Sequence, residues 1–345
     1  MAGSARQNRW LTSKRWWLIP VVLCALLLGA GLLFYAAPRQ SKATVQDIEP
    51  RASVADYSWS DLSAIAEALS TCDSRDDALR LAAHYHLCDT DGTFDATAAK
   101  DCALTDGSVA HAVLADVWHD DRTEGGKAGL TFVLANAVGP HAMNHDFEQH
   151  EGDDADNRGG WAASDMRAWL NGDLLYQLPA DLRAVLVSVQ KRTANYVESN
   201  DEQDEPGHLA GSPTDWAGET SDKLWLLSAC ELCGAVPKQE ELGIDQSMSA
   251  IYDTEGTQYQ LFASNGVKAF EKNAALVRSG DSGICTWWLR TKTLEFDDGF
   301  WLVGTDGCPL NGYGEDSRVV EDPEYAPDDL WGPDHARGVV FGFCL

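Results

Sequence analysis

Basic residues are scarce in this sequence. Its 345 residues include 26 Lys and Arg against 54 Asp and Glu, which gives a formal net charge of −28. Residues 1–37 hold four of the basic residues and no acidic one, so the rest of the chain is more acidic still. A field of this sign repels phosphate backbones, and the sequence predicts no nucleic-acid binding. Solubility outside the cell and cation binding are both compatible with it.

Internal repeats and heptads are also missing. With 44% hydrophobic residues and 13 Trp, the chain can nevertheless bury one sizeable core or two modest ones. Short helical and strand patterns alternate with long polar loops. This arrangement predicts an α+β fold with an antiparallel sheet rather than a repeating α/β fold.

Charge is absent from residues 16–37, which form an apolar run preceded by four basic residues. About 20 apolar residues span a bilayer, and the basic flank predicts a cytoplasmic N-terminus, so residues 1–15 would be a cytoplasmic tail. We therefore expect a single-pass cell-membrane protein whose C-terminal domain is extracellular. The alternative is a cleaved signal peptide, but the run is longer than a usual signal core and residues 35–38 form a poor cleavage site.

Residues 38–55 are polar, contain two prolines and are predicted to be a juxtamembrane linker. Helical spacing of apolar residues then predicts two helices, over 59–71 and 75–87, which would form a small helical module within residues 56–100. Ser74 and Asp77 form a capping-box pattern at the start of the second helix. Next, Asp106-Gly107 predicts the turn of a β-hairpin.

Three runs near the C-terminus are rich in aromatic and β-branched residues: 285–291, 299–304 and 338–345. They predict three strands of one antiparallel sheet, which would form the core. In the first strand Trp287 and Leu289 would lie on one face and Trp288 and Arg290 on the other. We expect Arg290, like Arg167, to pair with a buried carboxylate rather than to act in catalysis.

Several motifs follow one another along the chain. They are Gly159-Gly-Trp-x-x-Ser-x-Met-Arg-x-Trp-Leu-Asn171, Asp222-Lys-Leu-Trp-Leu-Leu-Ser228, Gly256-Thr-Gln-Tyr-Gln-Leu-Phe262, Trp287-Trp-Leu-Arg290 and Gly338-Val-Val-Phe-Gly-Phe-Cys-Leu345. Over residues 101–345 the chain resembles a family of bacterial surface proteins catalogued as domain of unknown function 6273. The helical pair resembles the leader module that often precedes this domain. Thr291-Lys292 departs from the Ser-Pro common in the family at this point. The resemblance implies no particular activity.

A Trp-x-Leu-Arg strand followed later by Gly-Val-x-x-x-Phe is also similar to the end of C-type-lectin-like and formylglycine-generating-enzyme-like folds. This resemblance implies a lectin-like domain with an antiparallel sheet and long loops, a fold that serves binding more often than catalysis. A formylglycine oxidase needs closely spaced thiols. Cys285 and Cys308 are too far apart in sequence to match that family, so its activity is not carried over.

Eight cysteines lie outside the apolar run. An even number in an extracytoplasmic domain favours disulfides, and we predict the pairs Cys285–Cys344 and Cys88–Cys102. Cys230 and Cys233 form a C-x-x-C motif that is structural, a redox dithiol or half of a metal site. The structural interpretation is favoured, because the sequence contains no second C-x-x-C and no H-x-x-x-H.

Acidic residues are densest after His141. Asp154, Asp156 and Asp165 have a spacing similar to a calcium loop, although Arg158 occupies a ligand position and the run is also compatible with a solvated loop. The sequence therefore predicts no cofactor, with calcium as the alternative. Gly280-Asp-Ser-Gly283 resembles a protease nucleophile loop, but Ile284 replaces the expected glycine, and short matches of this kind are often false.

Aromatic side chains in polar loops are typical of sugar recognition, whereas Trp161, Trp169, Trp225, Trp287 and Trp301 are expected in the core. The predicted ligand-binding residues are Asp306, Tyr313, Trp331 and His335. The sequence favours a non-enzymatic module that binds an extracellular glycan or protein. The alternatives are an extracytoplasmic hydrolase, a thiol oxidoreductase using Cys230 and Cys233, and a purely architectural domain.

Overall fold

A computed structural model describes residues 45–145, 157, 159–194, 217–238, 244, 246–294, 299–310 and 334–345. All of these residues belong to one compact unit, Ala43–Leu345. The predicted anchor at 16–37 lies outside the described residues. Within the described ranges, no helix is both long and apolar enough to cross a membrane.

The predicted helical pair is confirmed. Helix α1 (Trp59–Ser70) begins at a capping box formed by Ser58 and Asp61, and α2 (Arg75–His84) begins where Ser74 accepts the amide of Asp77. The second helix ends three residues before its predicted end, because His86 adopts a φ of 53°.

Aromatic contacts join the helical pair to the rest of the unit. Trp59 makes edge-to-face contacts with Phe132 at 5.7 Å and Phe343 at 5.9 Å between ring centroids. Phe132 and Phe343 stack on each other at 5.2 Å. The helices and the neighbouring sheet therefore share one core.

The first sheet has the strand order β1-β2-β3-β14-β7 and is antiparallel throughout. The predicted hairpin is its β1–β2 pair, with Gly107 at a φ of 94° in the turn. Its strands are β1 (Lys100–Ala103), β2 (Val109–Val117), β3 (Leu130–Leu134), β7 (Trp225–Leu226) and β14 (Phe341–Cys344).

The second sheet has the order β12-β11-β10-β13-β4. All six residues of its central strand, β10, are buried, because both faces of the strand are covered. Its strands are β4 (Val138–His141), β10 (Trp287–Lys292), β11 (Phe300–Val303), β12 (Pro309–Leu310) and β13 (Arg337–Val339).

The predicted three-stranded C-terminal sheet is only partly correct. β10 and β11 are antiparallel, but the last run divides between the two sheets: β13 pairs in parallel with β10, and β14 joins the first sheet. Two glycines permit this arrangement. A Cβ on Gly338 would lie 2.8 Å from the Cys285 Sγ, and one on Gly342 would lie 3.0 Å from the Trp225 ring.

Two hairpins and several short helices complete the described part. Ser164 caps the helix that begins at Asp165. Trp161, Trp225, Trp287 and Trp301 are fully buried, whereas Trp169 is only partly buried, with His141 stacked on it at 4.2 Å. The hairpins are β5 (Val189–Ala194) with β6 (Ala217–Asp222), and β8 (Arg278–Gly280) with β9 (Gly283–Cys285). The short helices are α3 (Gly160–Ala163), α4 (Asp165–Trp169), α5 (Leu175–Gln177), α6 (Ala180–Arg183), α7 (Ala229–Cys233), α8 (Gln246–Tyr252) and α9 (Gln260–Ser264).

Candidate functional site

A cluster of ionisable side chains lies in the interior where the two sheets meet α7. Each member is at most 6% exposed. We call this the charged cluster, and it consists of Asp120, Lys191, Glu231, Glu255, Tyr259 and Arg290. Burying charge without a partner is costly, so the pairing within the cluster determines what it can do.

Lys191 lies on β5 at the centre of the cluster. Its Nζ pairs with the Asp120 carboxylate, lies 2.9 Å from both Glu231 Oε1 and the Tyr259 hydroxyl, and sits 3.9 Å from the Trp225 ring centroid. Burial alone would lower the pKa of Lys191, but the two carboxylates reverse this and the net shift is upward. The ammonium is therefore held in its charged form.

Arg290 on β10 pairs with Glu231 through both guanidinium Nη atoms, and the Nη2–Oε1 distance is 3.0 Å. Arg290 also donates to the Leu226 carbonyl at 2.8 Å and to Thr193 Oγ1 at 3.1 Å. Burial opposes the ionised form of Glu231, yet Arg290 and Lys191 lower its pKa overall. The expectation that Arg290 makes a buried carboxylate pair is confirmed.

Local sequence positions Glu231 for this pair. Ser228 accepts the Glu231 amide, and Glu231 Oε2 accepts the Ser228 amide at 3.0 Å, which forms a capping box at the start of α7. The same carboxylate thus fixes a helix end and neutralises a buried arginine. Arg167 also pairs with a buried carboxylate, as expected, since its Nε donates to Asp222 Oδ1 at 2.7 Å.

Glu255 is the member of the cluster that titrates near neutral pH. Its carboxylate accepts the Thr291 hydroxyl and, at 2.9 Å, the amide of Ala194. Burial raises the pKa of Glu255 to about 7, against the opposing effects of Arg290 and these hydrogen bonds. The remaining charges, two cations and two carboxylates, balance one another.

His119 connects the cluster to the surface. Its Nδ1 lies 3.6 Å from Asp120 Oδ1, its Nε2 lies 2.8 Å from the hydroxyl of the exposed Thr257, and its ring packs 4.6 Å from that of Tyr259. Burial lowers the pKa of His119 and Asp120 raises it, with a net upward shift. The preceding residue, Trp118, has a φ of 53°, a conformation that is rare for an aromatic residue and typical of constrained sites.

The model of the family described as domain of unknown function (DUF6273) matches residues 128–316, more than half of the chain. The chain belongs to this family. The matched range is shorter at both ends than the predicted 101–345, and it contains every member of the charged cluster except Asp120. No curated protein and no solved structure matches the chain.

Two of the four predicted ligand-binding residues of this DUF6273 protein can be placed. Asp306 lies in the β11–β12 turn, where its carboxylate accepts the Cys308 amide at 3.0 Å and pairs with Lys272 at 2.9 Å. His335 is partly buried just before β13. Tyr313 and Trp331 lie outside the described residues.

The calcium prediction rests mainly on Asp154 and Asp156, which also lie outside the described residues. Asp165 begins α4, and its Oδ2 accepts both the amide and the ring Nδ1 of His145, at 2.9 and 2.7 Å. Burial opposes ionisation, but these bonds lower the pKa of Asp165 overall. Within the ranges described above, no group of three or more His, Cys, Asp or Glu is arranged to hold a metal ion.

The predicted disulfides of the DUF6273 protein are not formed in the structure, where these cysteines are present as thiols. Cys344 lies in the first sheet with its Sγ 3.3 Å from Thr131 Oγ1, whereas Cys285 belongs to the β8–β9 hairpin, so the two are on different sheets. The thiols of Cys88 and Cys102 contact the carbonyls of Leu79 and Lys100 instead of each other.

Cys230 and Cys233 lie in α7 on either side of Glu231, and both are buried. Burial raises the pKa of Cys230 to about 12 and raises that of Cys233 well above its usual value. A redox dithiol requires the opposite shift, because the thiolate is the reactive form.

Sequence reasoning missed most of the charged cluster. Lys191 and Asp120 lie in no motif, Tyr259 lies in the Gly256–Phe262 motif, which carries no sign of a buried charge, and Glu231 lies between the two cysteines of the C-x-x-C pattern. The usable signal was Ser228-x-x-Glu231, a capping box followed by a buried apolar helix.

Proposed function

We propose that this DUF6273 protein is a membrane-anchored extracellular binding module with a C-type-lectin-like domain, which takes an extracellular glycan or protein as its ligand and performs no chemistry on it. The uncharged run at 16–37 with its basic flank supports the anchor. Two mainly antiparallel sheets connected by loops are compatible with the lectin-like fold.

The observation that carries the proposal is that the charged cluster is buried and that its charges are paired with one another. Lys191 and Arg290 are each saturated by internal acceptors, and Asp120 and Glu231 are neutralised by them. Catalytic groups need access to a substrate, whereas every member of the cluster is buried, including Glu255 with its pKa of about 7. Such a cluster fixes the elements of the core relative to one another, and a rigid core of this kind can support loops that bind a ligand.

A hydrolase is the second candidate, and His119 is the reason. Thr257 Oγ1, His119 and Asp120 lie in the order hydroxyl, imidazole, carboxylate that activates a nucleophile. The pairing of Asp120 with Lys191 weakens this candidate, because a neutralised carboxylate stabilises an imidazolium less. Hydrolysis of an activated ester by the wild type that is abolished in both His119→Ala and Thr257→Ala would favour this candidate over the binding module.

The binding proposal is tested by the thermal stability of the full-length protein in detergent, with a panel of neutral and acidic glycans. A ligand that binds the folded state alone raises the melting temperature, by about 5 °C at a concentration 100 times Kd. We expect Trp331→Ala and His335→Ala to abolish the shift.

Tyr176→Ala is the control for this experiment, because it removes an aromatic side chain that is 70% exposed elsewhere on the domain. If no glycan shifts the melting temperature, the glycan form of the proposal fails and a protein ligand takes its place. If Tyr176→Ala abolishes the shift as well, Trp331 and His335 have no special role.

A further inference from the structure

A pocket of about 400 Å³ lies at the C-terminal end of α2. The segment before α1, the end of α2, the loop that follows it and strand β2 all contribute to its wall. Its volume is within the range of small-molecule binding sites. It lies outside the family match at 128–316, and neither Asp306 nor His335 lines it. We call it the α2 pocket.

The floor of the α2 pocket is apolar. Val54 precedes α1, Leu87 follows α2 and Leu114 belongs to β2, and each of these side chains is at most 5% exposed. Ala83 and Ala98 add small side chains to the wall. A hydrocarbon group that enters the pocket therefore leaves water for an apolar surface, which favours binding.

The polar part of the lining is acidic. Asp89 and Asp95 line the pocket, and no lysine or arginine of the described part does. Asp89 accepts one long hydrogen bond, from Thr93 Oγ1 at 3.4 Å, and Asp95 Oδ1 accepts the amide and the hydroxyl of Thr97, at 2.8 and 2.7 Å. A carboxylate has about four acceptor sites, so both aspartates retain capacity for the donors of a ligand.

The thiol of Cys88, which also lines the pocket, indicates the sign of the charge there. Its pKa is raised to about 11, mainly by burial and then by Asp89 and Asp91, against a smaller opposing effect of Arg75. Carboxylates that disfavour a thiolate favour a cation at the same place. The charge of the lining therefore opposes the binding of anionic ligands.

His86 adds an acceptor to the lining. It adopts a φ of 53°, and its Nδ1 lies 2.7 Å from the carbonyl oxygen of Arg51. A carbonyl oxygen only accepts, so Nδ1 carries the proton, and Nε2 of the neutral ring is an acceptor. Two carboxylates and one imidazole nitrogen suit an ammonium group, because it has three donors and no acceptor.

An inorganic cation fits this lining less well than an organic one. In the described part of the chain, no three His, Cys, Asp or Glu residues are arranged to hold a metal ion, and this includes the residues of the α2 pocket. A metal ion would also leave the apolar floor without a contact. An organic cation uses both the acidic and the apolar parts of the lining.

We propose that the α2 pocket binds a small organic ammonium ion, whose charged group contacts the two aspartates and whose hydrocarbon part covers the apolar floor. This inference goes beyond the proposed function, because it concerns a second site. The site lies in the helical module rather than in the loops near the C-terminus, and it takes a different class of ligand.

Isothermal titration of the full-length protein in detergent tests the proposal with three probes of similar shape: 2-phenylethylamine, 2-phenylethanol and phenylacetate. They are cationic, neutral and anionic at neutral pH. Titrations into detergent alone are subtracted, and sodium chloride holds the ionic strength constant. We expect the amine to bind at least about tenfold more tightly than the alcohol, since a charge-assisted hydrogen bond is stronger than a neutral one, and phenylacetate not to bind.

Three substitutions locate the bound amine. Asp89→Asn and Asp95→Asn keep an acceptor oxygen but remove the charge, and each should weaken amine binding at least about tenfold. Ala83→Leu fills the pocket from α2, where leucine is a good helix former, and should abolish amine binding. Asp281→Asn is the matched control, because it removes the same charge from an exposed turn that does not line the pocket. It should bind the amine as the wild type does.

Amine binding that survives in Ala83→Leu, or in both asparagine variants of the pocket, would overturn the inference, because the amine would then be held elsewhere on an acidic chain. Alcohol binding as tight as amine binding would overturn it as well, and so would the absence of amine binding by the wild type. Each of these outcomes leaves the proposed function standing, since that function is tested by glycans and by Trp331 and His335.

Discussion

Arg290 and Arg278 show two solutions to the burial of an arginine, 12 residues apart along the chain. Arg290 is surrounded by a carboxylate, a hydroxyl and backbone carbonyls, and its charge is matched within the protein. Arg278 contacts two carbonyls and an aromatic ring, and its buried Nε has no acceptor among the described residues. The difference indicates that the first arginine supports the fold, whereas the second is buried with one hydrogen-bond donor unmatched.

The largest expected effect is on the Arg290 side of the comparison. Arg290→Met leaves Glu231 buried without its arginine partner, and we expect the free energy of unfolding to fall by about 3–5 kcal/mol. Chemical denaturation of the full-length protein measures this change.

The control for Arg290→Met is Arg80→Met, which breaks an exposed pair with Asp77 and should leave the free energy of unfolding close to the wild-type value. Equal losses in the two variants would contradict a supporting role for the charged cluster.

Glu255 makes the stability of the cluster dependent on pH. Its pKa is about 7 in the folded protein against an ordinary value of 4.5, so the folded state binds the proton more tightly. Its contribution is fully present below about pH 4.5 and is lost as the pH rises through about 7, and it amounts to about 3 kcal/mol. Denaturation at pH 5 and pH 8 measures the slope, and Glu255→Gln should remove most of it. A slope unchanged in Glu255→Gln would assign the pH dependence to other groups.

The smallest expected effect is on Arg278. In the absence of ligand, Arg278→Met removes an uncompensated buried charge, and we expect the free energy of unfolding to change by less than about 1 kcal/mol or to increase. The same denaturation experiment measures it beside Arg290→Met. A loss as large as that of Arg290→Met would show that the two carbonyl contacts make Arg278 a structural arginine, and the contrast between the two would disappear.

Local signals in the sequence predicted local structure well. The capping pattern at Ser74 marked a true helix start, and the Asp106-Gly107 turn marked a true hairpin. Each of these depends on residues only a few positions apart, where the chain's own chemistry is sufficient.

Contacts between distant residues were not predictable in the same way. Lys191 and Asp120 are 71 residues apart, and Arg290 and Glu231 are 59 apart. A lysine on a strand looks the same in sequence whether it faces solvent or a buried carboxylate. The division of the last run between two sheets likewise depended on close approach at Gly338 and Gly342, which pattern alone does not reveal.

The sequence by itself determined the α+β class, the helical pair, the acidic character and the expectation that Arg290 pairs with a carboxylate. These follow from periodicity, capping and composition, which act over short stretches or over the whole chain. The tertiary structure alone decided that Glu231 would satisfy Arg290 and that the buried Nε of Arg278 would lack an acceptor among the described residues. The physical reason is that a buried charge takes its character from neighbours that folding brings together from distant parts of the chain.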